Sequence, residues 1–148
     1  MSEQIKYRFS LVLLSLLLIT FHAFSQKEVV MYYDTADVVR EKYHVLEEDP
    51  SIMHGSYMAY HPDGTIALKG NYQNGHRHGL FTEFYPSGKV KREIHFDQGR
   101  IDGLVNIYNP DGTMIQSAAF RSDTLSGISK QYYPDGNLKT ESEFYRGI

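Results

Sequence analysis

From residue 55 onward apolar and polar side chains alternate in short runs, and each run stops at a cluster of Pro, Asp, Ser and Gly. Alternation at period two predicts a strand with one dry face and one wet face, and such clusters predict reversals. The reversals recur as Tyr60-His61-Pro62-Asp63-Gly64, Phe84-Tyr85-Pro86-Ser87-Gly88, Tyr108-Asn109-Pro110-Asp111-Gly112 and Tyr132-Tyr133-Pro134-Asp135-Gly136. The prolines fall 24 residues apart, and a fixed period of that size predicts a repeat architecture. The modules run over 55–78, 79–102, 103–126 and 127–148, each a β-hairpin opened by Gly55, Gly79, Gly103 or Gly127.

Aligned on the period, Tyr60, Phe84, Tyr108 and Tyr132 form one aromatic column. Ile66, Val90, Met114 and Leu138 form an aliphatic one, and Tyr72, Phe96, Phe120 and Phe144 a second aromatic one. A regular hairpin at Pro62-Asp63-Gly64 sets Tyr60 opposite Ile66 and Met58 opposite Leu68. The next connection, around Gly75 to Arg77, sets Tyr72 opposite Leu80, and likewise Phe96 opposite Leu104 and Phe120 opposite Ile128. These even-numbered residues then share one apolar face, with Lys69, Glu93, Ser117 and Glu141 on the wet one. The expected fold is all-β: an elongated single-sheet antiparallel meander of consecutive β-hairpin repeats.

Residues 26–54 read as a degenerate first repeat. Glu28 to Tyr33 is a strand rich in β-branched and aromatic residues, Asp34 to Asp37 a turn, and Val38 to Leu46 a second extended run. Terminal repeats are expected to be atypical, because they cap the stack. A helix from Ala36 to Leu46 is the alternative. Ahead of this stands a different composition. Lys6 and Arg8 precede an apolar run from Leu11 to Phe21, and small residues follow at Ala23 and Ser25. That order describes a secretory signal peptide, a helix in residues 1–25 cleaved between Ser25 and Gln26. The run is short of the ~20 apolar residues a spanning helix needs. The expected location is therefore exported, periplasmic or extracellular.

Composition narrows the chemistry. There are no cysteines, which excludes disulfides, thiolate-zinc sites and a lipidated N-terminal cysteine. Net charge is −3 without any basic block, so nucleic acid is not an expected partner. Loss of Lys6, Arg8 and Glu3 with the leader leaves 13 basic and 17 acidic residues, a surface that anionic lipid repels.

Three groups of side chains are candidates for function. His76 and His78 are two apart in an extended run and share a side, with His54 one period before His78 and His61 nearby. Equivalent positions in successive hairpins lie ~9.6 Å apart, too far for imidazoles that must share ~2.0–2.1 Å contacts to one zinc. Metal binding is therefore only a weak candidate. Asp63, Asp111 and Asp135 sit in turns that favour Asp for geometry alone. Glu93 and Glu141 are two modules apart, beyond the ~5–9.5 Å of working carboxylate pairs. No cofactor and no enzymatic activity are expected. The third group is aromatic and aliphatic: Tyr57, Phe81, Tyr85, Ile107 and Tyr133, with Val105, are odd-numbered first-strand or turn residues on the face opposite the apolar columns. An exposed patch of that kind is a binding surface, and these five are the expected partner contacts. Ser142 to Tyr145 leaves an unpaired strand edge, so self-association through sheet edges is also expected to be open to the chain.

The aromatic-aromatic-x-x-Gly hairpin, the Tyr/Phe-x-x-Gly that closes it and the Gly four residues further on resemble the bacterial variant of the MORN repeat, strongly over 55–148 and weakly over 26–54. The resemblance implies a long twisted sheet of hairpins with no intrinsic catalytic site. It also implies either an interaction or scaffold role or, as many members are labelled, an antitoxin-like inhibitor of a partner toxin. An exported protein does not meet a cytosolic toxin. The expectation is thus an exported, non-enzymatic interaction or scaffold module of the cell envelope, bound to a protein or other envelope component.

Overall fold

The computed structural model describes residues 25–34 and 37–147. The expected signal segment, residues 1–25, lies outside the described residues except for Ser25. Among the described residues ten strands follow one another: β1 (Gln26–Tyr32), β2 (Val39–Leu46), β3 (Met53–Tyr60), β4 (Ile66–Gln73), β5 (His76–Phe84), β6 (Val90–Asp97), β7 (Arg100–Tyr108), β8 (Met114–Arg121), β9 (Thr124–Tyr132) and β10 (Leu138–Phe144). They form one antiparallel sheet in sequence order, each strand packed chiefly on its chain neighbours. Val39–Leu46 is a strand, so the helical alternative there is not adopted.

Two kinds of reversal alternate. The Pro-x-Gly loops are closed by pairs such as His61 N to Thr65 O at 2.8 Å and Gly64 N to His61 O at 2.9 Å. Inside them Asp63 Oδ1 accepts the Thr65 amide at 2.9 Å, and Asp111 and Asp135 accept those of Thr113 and Asn137. The Thr65 and Thr113 hydroxyls and amides hold the Asp63 and Asp111 carboxyls below the usual carboxylate range, and the Asn137 amide does so for Asp135. The second reversal is a two-residue turn, Asn74-Gly75 between the paired Gln73 and His76, with both central residues at positive φ. That geometry matches the twist of antiparallel strands. Ser122-Asp123 makes the same turn without glycine, and Asp123 Oδ1 accepts the Ile101 amide at 2.8 Å.

The register departs from the sequence expectation in an ordered way. Tyr60 does pair with Ile66, but Ala59 pairs with Leu68 and Met58 with Lys69, because Ala67 is an extra residue with no partner on β3. Lys91, Ile115 and Lys139 are the same extra residue in later hairpins, and Arg40 in the first. One extra residue is a β-bulge, and it reverses which side chains share a face. Odd-numbered first-strand residues therefore lie with even-numbered second-strand ones, not opposite them. The tight second turns also place Tyr72 against Arg77, Phe96 against Ile101 and Phe120 against Leu125, not against Leu80, Leu104 and Ile128. Between hairpins the first strand carries a two-residue excess, as from Asn71↔His78 to Lys69↔Thr82. An even excess leaves the faces unchanged.

A single layer buries little. Val45, Phe81, Phe96 and Ala118 are the buried hydrophobic residues among those described, and the register puts all of them on one face.

Candidate interaction faces

The aromatic face is a ladder crossing five strands. Ring centroids run Tyr43–Tyr57 at 6.3 Å, Tyr57–Tyr72 at 5.6 Å, Tyr72–Phe81 at 5.6 Å and Phe81–Phe96 at 5.2 Å. The last three are edge-to-face, the arrangement that sets a ring's positive edge on its neighbour's negative face. The Arg77 guanidinium lies 5.3 Å from the centroids of both Phe81 and Phe96. Beside it, Glu83 takes Lys91 Nζ at 2.7 Å and Arg92 Nη2 at 2.8 Å. Burial works against the Glu83 carboxylate, but the two cations outweigh it and hold its pKa below the usual value. Leu68, Arg77, Phe81, Glu83, Arg92 and Phe96 line a shallow groove here.

The opposite face carries two parallel rows. One is the polar ladder Lys69–Thr82–Glu93–Asn106–Ser117–Lys130–Glu141. Its carboxylates are engaged structurally. Tyr108 Oη donates to Glu93 Oε2 at 2.8 Å, and Lys130 Nζ sits 3.2 Å from Glu141 Oε2. The other row presents Leu80, Leu104 and Ile128, 42%, 49% and 46% exposed at equivalent repeat positions. Sequence reasoning placed these three on the dry face. The signal that could have found them is the odd column, since Tyr57, Phe81 and Val105 are bulkier than a wet face needs.

Along the edge of the Pro-x-Gly loops, each of the first three hairpins is tied to the next by the side chain after the aromatic column. Tyr33 Oη donates to Tyr60 O at 2.7 Å, His61 Nε2 lies 3.1 Å from Phe84 O, and Tyr85 Oη donates to Tyr108 O at 2.9 Å. Asn109 is too short to reach and instead accepts the Thr113 amide of its own loop at 3.0 Å. Tyr133 is 48% exposed.

The expected contact residues are thus dispersed. Tyr57, Phe81 and Ile107 lie on the aromatic face, Tyr85 is a tie and Tyr133 is open. Phe81 is only 3% exposed, which corrects its expected place on an open surface: the bulge turns it inward, against the backbone of Gly70. His76 and His78 stand at the opposite edge, beside the two-residue turns, with Gln73, Asn74 and Gln98. His78 Nδ1 lies 3.4 Å from Asp97 Oδ1, and His54 Nδ1 lies 3.1 Å from Asn74 Oδ1. Among the described residues no three His, Asp or Glu side chains gather to hold a metal ion, and no helix is long and apolar enough to cross a membrane.

Two phenols titrate late. Burial first, then Glu41, pushes Tyr57 up to about 12; burial first, then the bond to Glu93, pushes Tyr108 up to about 12. An unfolded phenol ionises near ~10. Their contribution to stability is therefore whole below pH ~10 and is lost as pH rises from there towards the folded values. Tyr108→Phe is expected to remove one late group from the tyrosinate absorbance titration and to flatten the alkaline loss of stability. An unchanged titration would assign the late group elsewhere.

Residues 53–74, 77–98 and 125–145 match the family described as MORN repeat variant. The matched segments omit 99–124, although β7 and β8 pair in the same register as their neighbours. No curated protein matches the chain.

Proposed function

We propose that this chain, which carries a domain of MORN-variant repeats, is an exported interaction module of the cell envelope. Proteins built of such repeats are non-catalytic scaffolds, and a repeat β-sheet suits that role by offering equivalent side chains at regular spacing. The observation that carries the reading is the exposed column Leu80, Leu104 and Ile128, aligned beside a row of paired charges and hydrogen bonds. Half-exposed apolar residues at regular spacing, with His95 between Leu80 and Leu104 and Ala119 between Leu104 and Ile128, bordered by polar groups, are a surface suited to a protein partner. Tyr133 is a separate exposed aromatic at the edge of the Pro-x-Gly loops, while Tyr57 and Ile107 lie on the aromatic face and Tyr85 donates to the Tyr108 carbonyl. Export rests on the leader-like residues 1–25, with cleavage after Ser25.

The test is affinity capture from envelope fractions, read by mass spectrometry, with the native chain and with Leu104→Ser/Ile128→Ser. Both side chains are about half exposed, so the variant is expected to fold and to lose the captured envelope protein. Retention of the same partner would remove the column from the interface. A captured protein of toxin type would favour the inhibitory reading, and a chain found only in the cytosol would refute export.

A further inference from the structure

The outer strands of the sheet hold the same repeat positions as the inner ones. By register, β1 holds the repeat position of β3, β5, β7 and β9: Tyr32, Met31, Val30 and Val29 stand where Tyr60, Ala59, Met58 and Tyr57 stand. β10 holds the position of β2, β4, β6 and β8, with Thr140, Glu141 and Ser142 equivalent to Gln116, Ser117 and Ala118. Each of these outer strands has one unpaired backbone edge among the described residues. The turn-edge tie points the same way. Tyr33 and Tyr85 donate to the carbonyl of the last residue of the following hairpin's first strand, whereas Tyr133 has no such carbonyl before it among the described residues.

We propose that β10 of one copy pairs with β1 of a second, head to tail, in the register of the inner junctions. Thr140, Glu141 and Ser142 then lie opposite Met31, Val30 and Val29 of the second copy, as Gln116, Ser117 and Ala118 lie opposite Gln131, Lys130 and Ser129. Tyr133 Oη donates to the Tyr32 carbonyl of that copy. The faces stay continuous, since Met31 and Val29 join the aromatic face. Pairing stops there, because Lys27 occupies the place of the positive-φ Gly55, Gly79, Gly103 and Gly127, where the two-residue excess begins. The junction is thus short and reversible. Being heterologous and non-closing, it adds copies without a fixed number.

The chain has no cysteine of its own, which makes cross-linking specific. Opposed residues in an antiparallel pair have Cβ atoms about 4.5–5.5 Å apart, and a disulfide needs about 3.5–4.5 Å, so a small approach of the strands closes the bond. Full-length Ser142→Cys and Val29→Cys chains, mixed and mildly oxidised, are expected to give the mixed dimer in excess of either homodimer. The double variant is expected to give a ladder of oligomers. The unmodified chain is expected to show a weight-average mass in sedimentation velocity that rises with concentration past that of a dimer, and Tyr133→Phe to shift that rise to severalfold higher concentration. Predominant Ser142→Cys homodimers would overturn the proposal in favour of a closed β10–β10 pair. A monomer at every concentration, with no cross-link, would overturn it outright. Association indifferent to Tyr133→Phe would overturn the tie.

Discussion

Phe81→Ala is expected to be the most damaging single substitution in the sheet, lowering stability by about 3–5 kcal/mol, the range for truncating a buried aromatic. Phe81 is 3% exposed and contacts Tyr72, Phe96 and Arg77 through its ring, so its loss breaks the ladder between Tyr72 and Phe96. Only Val45, Phe96 and Ala118 are comparably buried apolar residues among those described, and a single layer has no second core to fall back on. The measurement is thermal unfolding followed by circular dichroism, with Leu104→Ala as the control. Leu104 is 49% exposed, so its truncation is expected to cost no more than about 0.5 kcal/mol. Equal costs for the two would mean that the ladder is not the core.

Gly70→Ala is expected to destabilise by about 1–3 kcal/mol, as overpacking does in a filled interior. A Cβ there would fall 2.5 to 2.6 Å from three carbons of the Phe81 ring. Phe96 packs edge-to-face on the same ring at 5.2 Å and the Arg77 guanidinium lies 5.3 Å from its centroid, so a shift of the ring disturbs both contacts. Alanine ordinarily gains about 0.4–1 kcal/mol over glycine by restricting the unfolded chain, so the sign of the effect is itself informative. In a double-mutant cycle, Phe81→Leu should absorb part of the cost of Gly70→Ala. Strict additivity, or a stabilising Gly70→Ala, would contradict the close approach.

The period, the hairpins and the single antiparallel sheet were legible in the sequence, since turn chemistry at 24-residue spacing leaves little else for such strands to do. The pairing next to each Pro-x-Gly loop was legible too: Tyr60 opposes Ile66 as a plain hairpin requires. What period-two reasoning could not carry was parity across a bulge. Ala67 and its equivalents look like ordinary strand residues, and nothing in their side chains marks them as extra. One such residue exchanges the two faces, which is why Phe81 was expected outside and Leu104 inside. The turn-edge ties were equally hidden, because a tyrosine donating to a carbonyl 23 residues on is written as one more aromatic in an aromatic-rich loop.

The strict sequence order of the strands governs how the chain acquires its structure. Each strand finds its partners within the adjacent hairpins, so no segment waits for a distant one before it can pair. Loop-closure entropy stays small throughout, which favours rapid folding for a β protein. Structure can start at any hairpin, with the Tyr72–Phe81–Phe96 rungs the strongest nucleus, and grow outward one strand at a time. A chain emerging gradually from a narrow exit would be able to fold behind itself as it appears, each hairpin serving as the template for the next.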